Sequence, residues 1–237
     1  MSGFLRDAAK GLSTLFFPHT CPFCHGENGC VVIEGRRCHD FWVDPPSIRY
    51  IGKVPIYSVL PYDDMAMNVV LAAKERGEKR ARELLAIAIK SVITMRLKGS
   101  SPLVIIPIPS TTGAIRRRGE DFIFTLVRSI SKDVVDREVL VAPVLRWRRN
   151  IEDQSLLSLR DRERNLASAC EVDEEKVKKW LAGTRIPSEV RLEIALIDDV
   201  ITSGATLTAA ILAISHSSLG SRSSLVGITA CHSARGF

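Results

Sequence analysis

Apolar residues run almost unbroken in two short stretches and recur at every third or fourth position in several longer ones. These runs, Leu103-Val104-Ile105-Ile106-Pro107-Ile108-Pro109 and the mostly apolar Leu192 to Ile197, which contains Glu193, read as parallel strands covered on both faces. Ile56 to Leu60 and Val139 to Val144 predict two further strands. Helical spacing is kept by Leu84, Ile87, Ala88, Val92 and Met95, by Phe122, Leu126 and Ile130, and by Leu207, Ala210, Ile211 and Ile214. An apolar helix face from Val69 to Ala73 stops at the charged turn Lys74-Glu75-Arg76-Gly77, where Lys74 either reaches into a cleft or is an ordinary solvated lysine. Lys79, Arg80 and Arg82 are expected on a solvated face of the long helix that follows. Strands alternating with helices predict an α/β fold whose mostly parallel sheet is flanked by helices.

Polar chemistry gathers where the two buried strands stop. After Ile197 come Asp198 and Asp199, then Thr202, Ser203, Gly204, Ala205 and Thr206, then a helix. A small, hydroxyl-rich turn at a helix N-terminus converges backbone N–H groups on one point, where unpaired donors and aligned peptide dipoles favour a phosphate. Two carboxylates facing that phosphate would repel it, but they suit hydroxyls beside it, a combination that describes a ribose 5-phosphate. The other strand ends in a second anion-ready turn, Ser110, Thr111, Thr112 and Gly113, with Arg116, Arg117 and Arg118 next.

The chain has 237 residues, 46% of them hydrophobic, enough for one ordinary core and a small appendage. Asp44-Pro45-Pro46 marks a linker, which puts the boundary near residue 50: a module over 1–50 and a larger domain over 51–237. No apolar run is long enough to span a membrane. Arg6, Asp7 and Lys10 interrupt the region where a signal peptide needs an apolar core, so a cytoplasmic protein is expected. The formal net charge of +6 suits either a polyanion or a highly phosphorylated small molecule.

Four of the six cysteines fall in the first forty residues. Cys21 and Cys24 form a C-x-x-C knuckle, and Cys38 follows at a ribbon-like distance, but Phe41 stands where a second knuckle would close. A tetrahedral structural zinc needs four nitrogen or sulfur ligands. Cys21, Cys24 and Cys38 with one of Cys30, His39 or His25 would supply them. Before the knuckle, Phe4, Leu5, Ala8, Leu12 and Leu15 to Phe17 make an amphipathic stripe expected to pack on the body of the protein.

From Arg146 to Arg164 the chain is basic, long and short of apolar periodicity, and such a segment in a compact domain usually has a task. Trp147 between arginines could stack a base or anchor the loop to the core.

In order, the N-terminal Cys cluster, Lys74-Glu75-Arg76-Gly77, Ile106-Pro107-Ile108-Pro109-Ser110, Arg116 to Gly119, the Gln154 to Asn165 segment and Asp198 to Thr206 resemble the ComF family of competence proteins. The last of these is similar to the phosphoribosyl pyrophosphate (PRPP) motif of type I phosphoribosyltransferases. Family members commonly follow Arg-Gly with Phe-Asn-Gln, where this chain has Glu120-Asp121. The resemblance implies a type I phosphoribosyltransferase fold beside a small zinc-ribbon-like module. It implies that Asp198 and Asp199 hold the ribose hydroxyls, that Thr202, Ser203, Gly204, Ala205 and Thr206 hold the 5′-phosphate, and that Ser110, Thr111 and Thr112 hold the pyrophosphate. Mg²⁺ would accompany PRPP, and Arg118, Lys74 or Arg164 would meet developing negative charge. Many purine-salvage members carry an acid at the position of Thr202, which disfavours that reaction here. Two functions follow as expectations: an enzyme moving phosphoribosyl to an unidentified acceptor, or a PRPP-sensing protein of DNA uptake whose basic stretch meets single-stranded DNA and other uptake proteins.

Overall fold

The computed structural model describes residues 46–97, 99, 101–134, 137–148, 169–184, 186–187 and 189–233, with the backbone of 32–33 and 36–37. The expected zinc ligands Cys21, Cys24, Cys30, Cys38 and His39, the N-terminal stripe and Arg164 lie outside the described side chains. Two two-residue strands, β1 (Val32–Ile33) and β2 (Arg36–Arg37), pair antiparallel.

The main sheet has six strands. In chain order they are β3 (Ser47–Ile51), β4 (Val54–Pro61), β5 (Leu103–Pro107), β6 (Val139–Val141), β9 (Leu192–Ile201) and β10 (Ser223–His232). Their spatial order is β3-β4-β10-β9-β5-β6, with β3 antiparallel to β4 and every other neighbouring pair parallel. The first of these strands spans the expected boundary near residue 50 and pairs with β4 from Ser47 onward. A separate two-stranded ribbon joins β7 (Leu145–Trp147) to β8 (Cys170–Val172).

Period-2 geometry explains why β5 is apolar throughout. Leu103 and Ile105 point into one core with Leu85, Ile89, Phe122 and Val127, while Val104 and Ile106 point into the other with Leu207, Ala210, Ile211 and Val177. The first core is covered by α1 (Asp64–Lys74), α2 (Lys79–Arg96) and α4 (Phe122–Asp133); the second by α5 (Glu174–Gly183) and α6 (Ala205–Ser215). A short helix α3 (Thr112–Arg118) sits between β5 and α4. The architecture is therefore the expected α/β type, a mostly parallel sheet between helices.

From β5 the chain moves outward to β6, and from β9 it moves the other way to β10. That reversal opens a crevice at the carboxyl ends of β5 and β9, the place where open parallel sheets bind ligands. Its floor is uneven. The last residue of β5, Pro107, pairs with Ile197, whereas β9 continues to Ile201 beside β10. The strand thus does not stop at the two acids, as expected from the sequence, because Val200 and Ile201 pair with Cys231 and His232.

Strand β10 lies at the centre of the sheet, between β4 and β9. Gly227 faces Ile56 across it, and a Cβ there would come within 2.5 Å of the Ile56 Cδ1 atom.

Candidate functional site

The crevice is a cleft of about 450 Å³. It gathers Lys74 from the end of α1, Ser110 and Thr111 after β5, Arg118 from the end of α3, Asp198 and Asp199 on β9, and Thr206 on α6. Those seven were all candidates from the sequence. Thr112, Thr202, Ser203, Gly204 and Ala205 do not line it. Arg117, expected only as general positive charge beside the turn, lines it too, and so do Glu75 and Trp147, to which sequence reasoning assigned no part in the site.

The two carboxylates differ. Asp199 is buried, one oxygen accepting from the Val200 N–H at 3.0 Å and the other from Lys74 Nζ at 2.6 Å. Asp198 is half-buried and accepts from the Asp199 N–H at 2.9 Å. Burial, and then the Asp199 charge, pushes the Asp198 carboxyl well above its ordinary 3.8. Tyr62, at the end of β4, also titrates higher than usual, through burial and the same Asp199 charge. The cleft therefore disfavours a second negative charge at Asp198, and a cation or hydroxyl donor beside it would relieve it.

After β9, Thr202 and Ser203 are exposed and Gly204 takes φ 76°, a left-handed conformation that glycine adopts without strain. Helix α6 starts there with no side-chain cap on its first turn. Its N-terminal N–H groups retain their capacity to bind an anion, although the Ala205 N–H leans on Ser203 Oγ at 3.4 Å.

On the β5 side the hydroxyls are already engaged. Ser110 Oγ donates to Asp121 at 3.1 Å and accepts from Arg118 Nη2 at 3.1 Å. Thr111 caps α3 by accepting from the Ala114 N–H. Asp121 also caps α4, so the Glu120-Asp121 pair that departs from the ComF pattern has local structural work. Glu120 holds Arg82, and that hydrogen bond draws the Glu120 carboxyl below its usual range. Arg82 also donates to the Ala73 carbonyl at 3.2 Å and is therefore not on the solvated face expected for it.

Arg118 is the most enclosed cation of the cleft. Its side chain is 5% exposed, Nη1 donates to Glu75 at 3.2 Å, and its Nε is buried without a partner. Arg117 donates to both Glu75 oxygens at 3.2 and 3.3 Å. Trp147 closes one wall, its indole N–H donating to the Pro109 carbonyl at 2.6 Å, which selects the anchoring role among those weighed from the sequence.

Beyond the cleft, Arg146 and Arg148 both pair with Glu171, at 2.8 and 2.6 Å, so part of the basic stretch has a partner within the β7–β8 ribbon. Among the described residues no three His, Cys, Asp or Glu side chains are grouped as a metal site, and no helix is long and apolar enough to cross a membrane. No protein-family model matches the chain, and no curated protein matches it.

Proposed function

We propose that this protein binds PRPP as its Mg²⁺ complex and transfers the phosphoribosyl group to an acceptor, as its resemblance to the ComF family implies. The observation that carries the reading is the convergence of Lys74, Ser110, Arg118, Asp198, Asp199 and Thr206, from five separate segments, on one cleft at the crossover of the sheet. No single motif could produce that meeting, and a phosphorylated ribose needs all of its parts: an anion seat at each end and acceptors for hydroxyls between.

Mg²⁺ carried by the substrate would lie by Asp198 and Asp199 and would supply neutralisation of charge on the leaving group. Asp198 accepts from a ribose hydroxyl, and Asp199 keeps Lys74 in position. The N-terminus of α6, with Thr206, takes the 5′-phosphate. Arg118 takes the diphosphate. The bond from C1 to the diphosphate oxygen breaks with its electron pair leaving on oxygen, the acceptor's lone pair forms the new bond at C1, and the acceptor's proton is released. Arg118, fixed before reaction in a place sheltered from water, stabilises the charge that accumulates on the leaving oxygen.

Calorimetric titration with PRPP and Mg²⁺ tests the proposal. The wild type is expected to bind, and Asp198→Asn with Asp199→Asn is expected to weaken binding by about 1.5–3 kcal/mol for the hydroxyl acceptor lost at Asp198, and further through the release of Lys74 from Asp199. Absence of wild-type binding, or equal binding by the double variant, overturns it. Release of pyrophosphate from PRPP, Mg²⁺ and a cell extract then separates a transferase from a sensor.

A further inference from the structure

Glu75 stands where helix physics would not put it. It follows Lys74 at the C-terminal end of α1, where the exposed carbonyls make a carboxylate unfavourable. What holds it is the pair Arg117 and Arg118, which between them direct three hydrogen bonds of 3.2–3.3 Å onto its two oxygens. Two guanidinium groups converging on two carboxylate oxygens is the geometry with which arginines grip phosphate. The grip lies in the cleft, next to Ser110, on the side of β5.

The two arginines are unequal. Arg117 is 65% exposed, so its contact with Glu75 is screened and contributes little. Arg118, at 5% exposure, cannot stand unneutralised, and with Nε orphaned it retains a donor that Glu75 does not satisfy. Glu75 itself is 35% exposed and ends a helix, so it can swing into water at small cost.

We propose that Glu75 is the resident counter-ion of this subsite: it occupies Arg117 and Arg118 while the cleft is empty, and an incoming diphosphate must displace it. Glu75 is thus a specificity-determining residue. It sets a threshold that a weakly charged anion does not cross and a diphosphate does, because only the latter offers enough oxygens to replace its contacts and meet the orphaned Nε as well. The inference rests on the PRPP reading only in supposing that the diphosphate is carried on ribose.

The test is titration of the full chain with inorganic pyrophosphate and, separately, inorganic phosphate, alongside unfolding scans with and without each anion. Glu75→Gln is expected to bind pyrophosphate about tenfold more tightly than the wild type, the scale of one partly solvated charge. Its gain for phosphate is expected to be larger than its gain for pyrophosphate, narrowing the preference between them. Pyrophosphate should also raise its unfolding temperature more than it raises that of the wild type. If Glu75 only neutralises Arg118 structurally, Glu75→Gln unfolds earlier while its anion affinities match the wild type, and the proposal falls. It falls equally if neither protein binds pyrophosphate. Should Glu75→Gln not fold, Glu75→Asp, too short to hold both arginines, carries the same expectations. Tighter pyrophosphate binding without any binding of PRPP would uphold the counter-ion and overturn the ribose reading, so the two stand or fall apart.

Discussion

Two arginines, Arg118 at the carboxyl edge of the sheet and Arg137 at the amino edge, have nearly the same burial, 5% and 6% exposed, and both leave Nε without a partner. Their acceptors differ. Arg137 donates to the carbonyls of Leu97, at 2.8 Å, and Ser101, and to Glu193 at 2.7 Å, tying the end of α2 and the approach to β5 to the start of β9. Arg118 donates only to side chains, Glu75 and Ser110. Backbone carbonyls cannot be exchanged without unfolding the turns that carry them, whereas a carboxylate on a flexible stem can leave. The same charge at the same depth is therefore a staple at one edge and an exchangeable donor at the other, and the identity of the acceptors decides which.

The contrast is tested most severely by Arg137→Ala. Removing one partner of a mostly buried ion pair leaves Glu193, 23% exposed, without its counter-charge and two carbonyls without a donor. A loss of about 3–5 kcal/mol in urea unfolding is expected, with pyrophosphate affinity of the folded fraction unchanged; a cost near zero would dissolve the contrast. Arg118→Ala should behave inversely, weakening pyrophosphate or PRPP roughly tenfold to a hundredfold in calorimetry while costing less stability than Arg137→Ala, since Glu75 is left next to water.

A third substitution sharpens the account of the functional edge. The folded-state titration of Asp198 lies well above 3.8, so across that interval the folded protein binds the extra proton and its stability falls as pH rises. Asp198→Asn removes this slope. Its melting temperature should match the wild type below the unfolded carboxyl's titration and exceed it increasingly as pH rises toward neutrality, by roughly 2–4 °C for each kcal/mol released. The same variant should bind PRPP less well, the signature of a group kept for function at the expense of stability. The smallest effect is expected from Trp147→Phe, which orphans the Pro109 carbonyl and should lower unfolding free energy by about 1 kcal/mol.

How much of this was legible in the sequence depended on how local the cause was. Strand β5 and the start of β9 were readable because burial on both faces writes itself as a mostly apolar run. The end of α1 at Lys74 was readable from the Gly77 turn. Continuation of β9 through Asp198 and Asp199 was not, because those residues are strand only by virtue of their pairing with β10. That strand itself escaped notice: Ser223, Ser224, Gly227 and Thr229 dilute its apolar signal, and Gly227 is required by a contact with Ile56, a residue far away in the chain. Arg82 was misplaced for a similar reason, since its partner Glu120 comes from a different helix entry. Asp121 could have been found, standing three residues before Phe124 at N-cap spacing. Glu75 too left a trace, an acid on the wrong end of a helix.

The Gly227–Ile56 contact also has a consequence in time. Strand β10 is the last strand of the described chain, yet it separates β4 from β9, and its partner residues in β4 lie roughly 170 positions earlier, a contact of very high sequence separation. During synthesis, β3 with β4 and β5 with β6 and β9 emerge as two half-sheets, each with an open edge waiting for a strand not yet made. When β10 arrives, sliding by one residue would set the Cβ of Val226 or Ile228 against Ile56, so the glycine admits only one seating. Closure of the sheet, and with it the extension of β9 that carries both aspartates, thus waits until β10 has been made and is then fixed in register by the absence of a single methyl group.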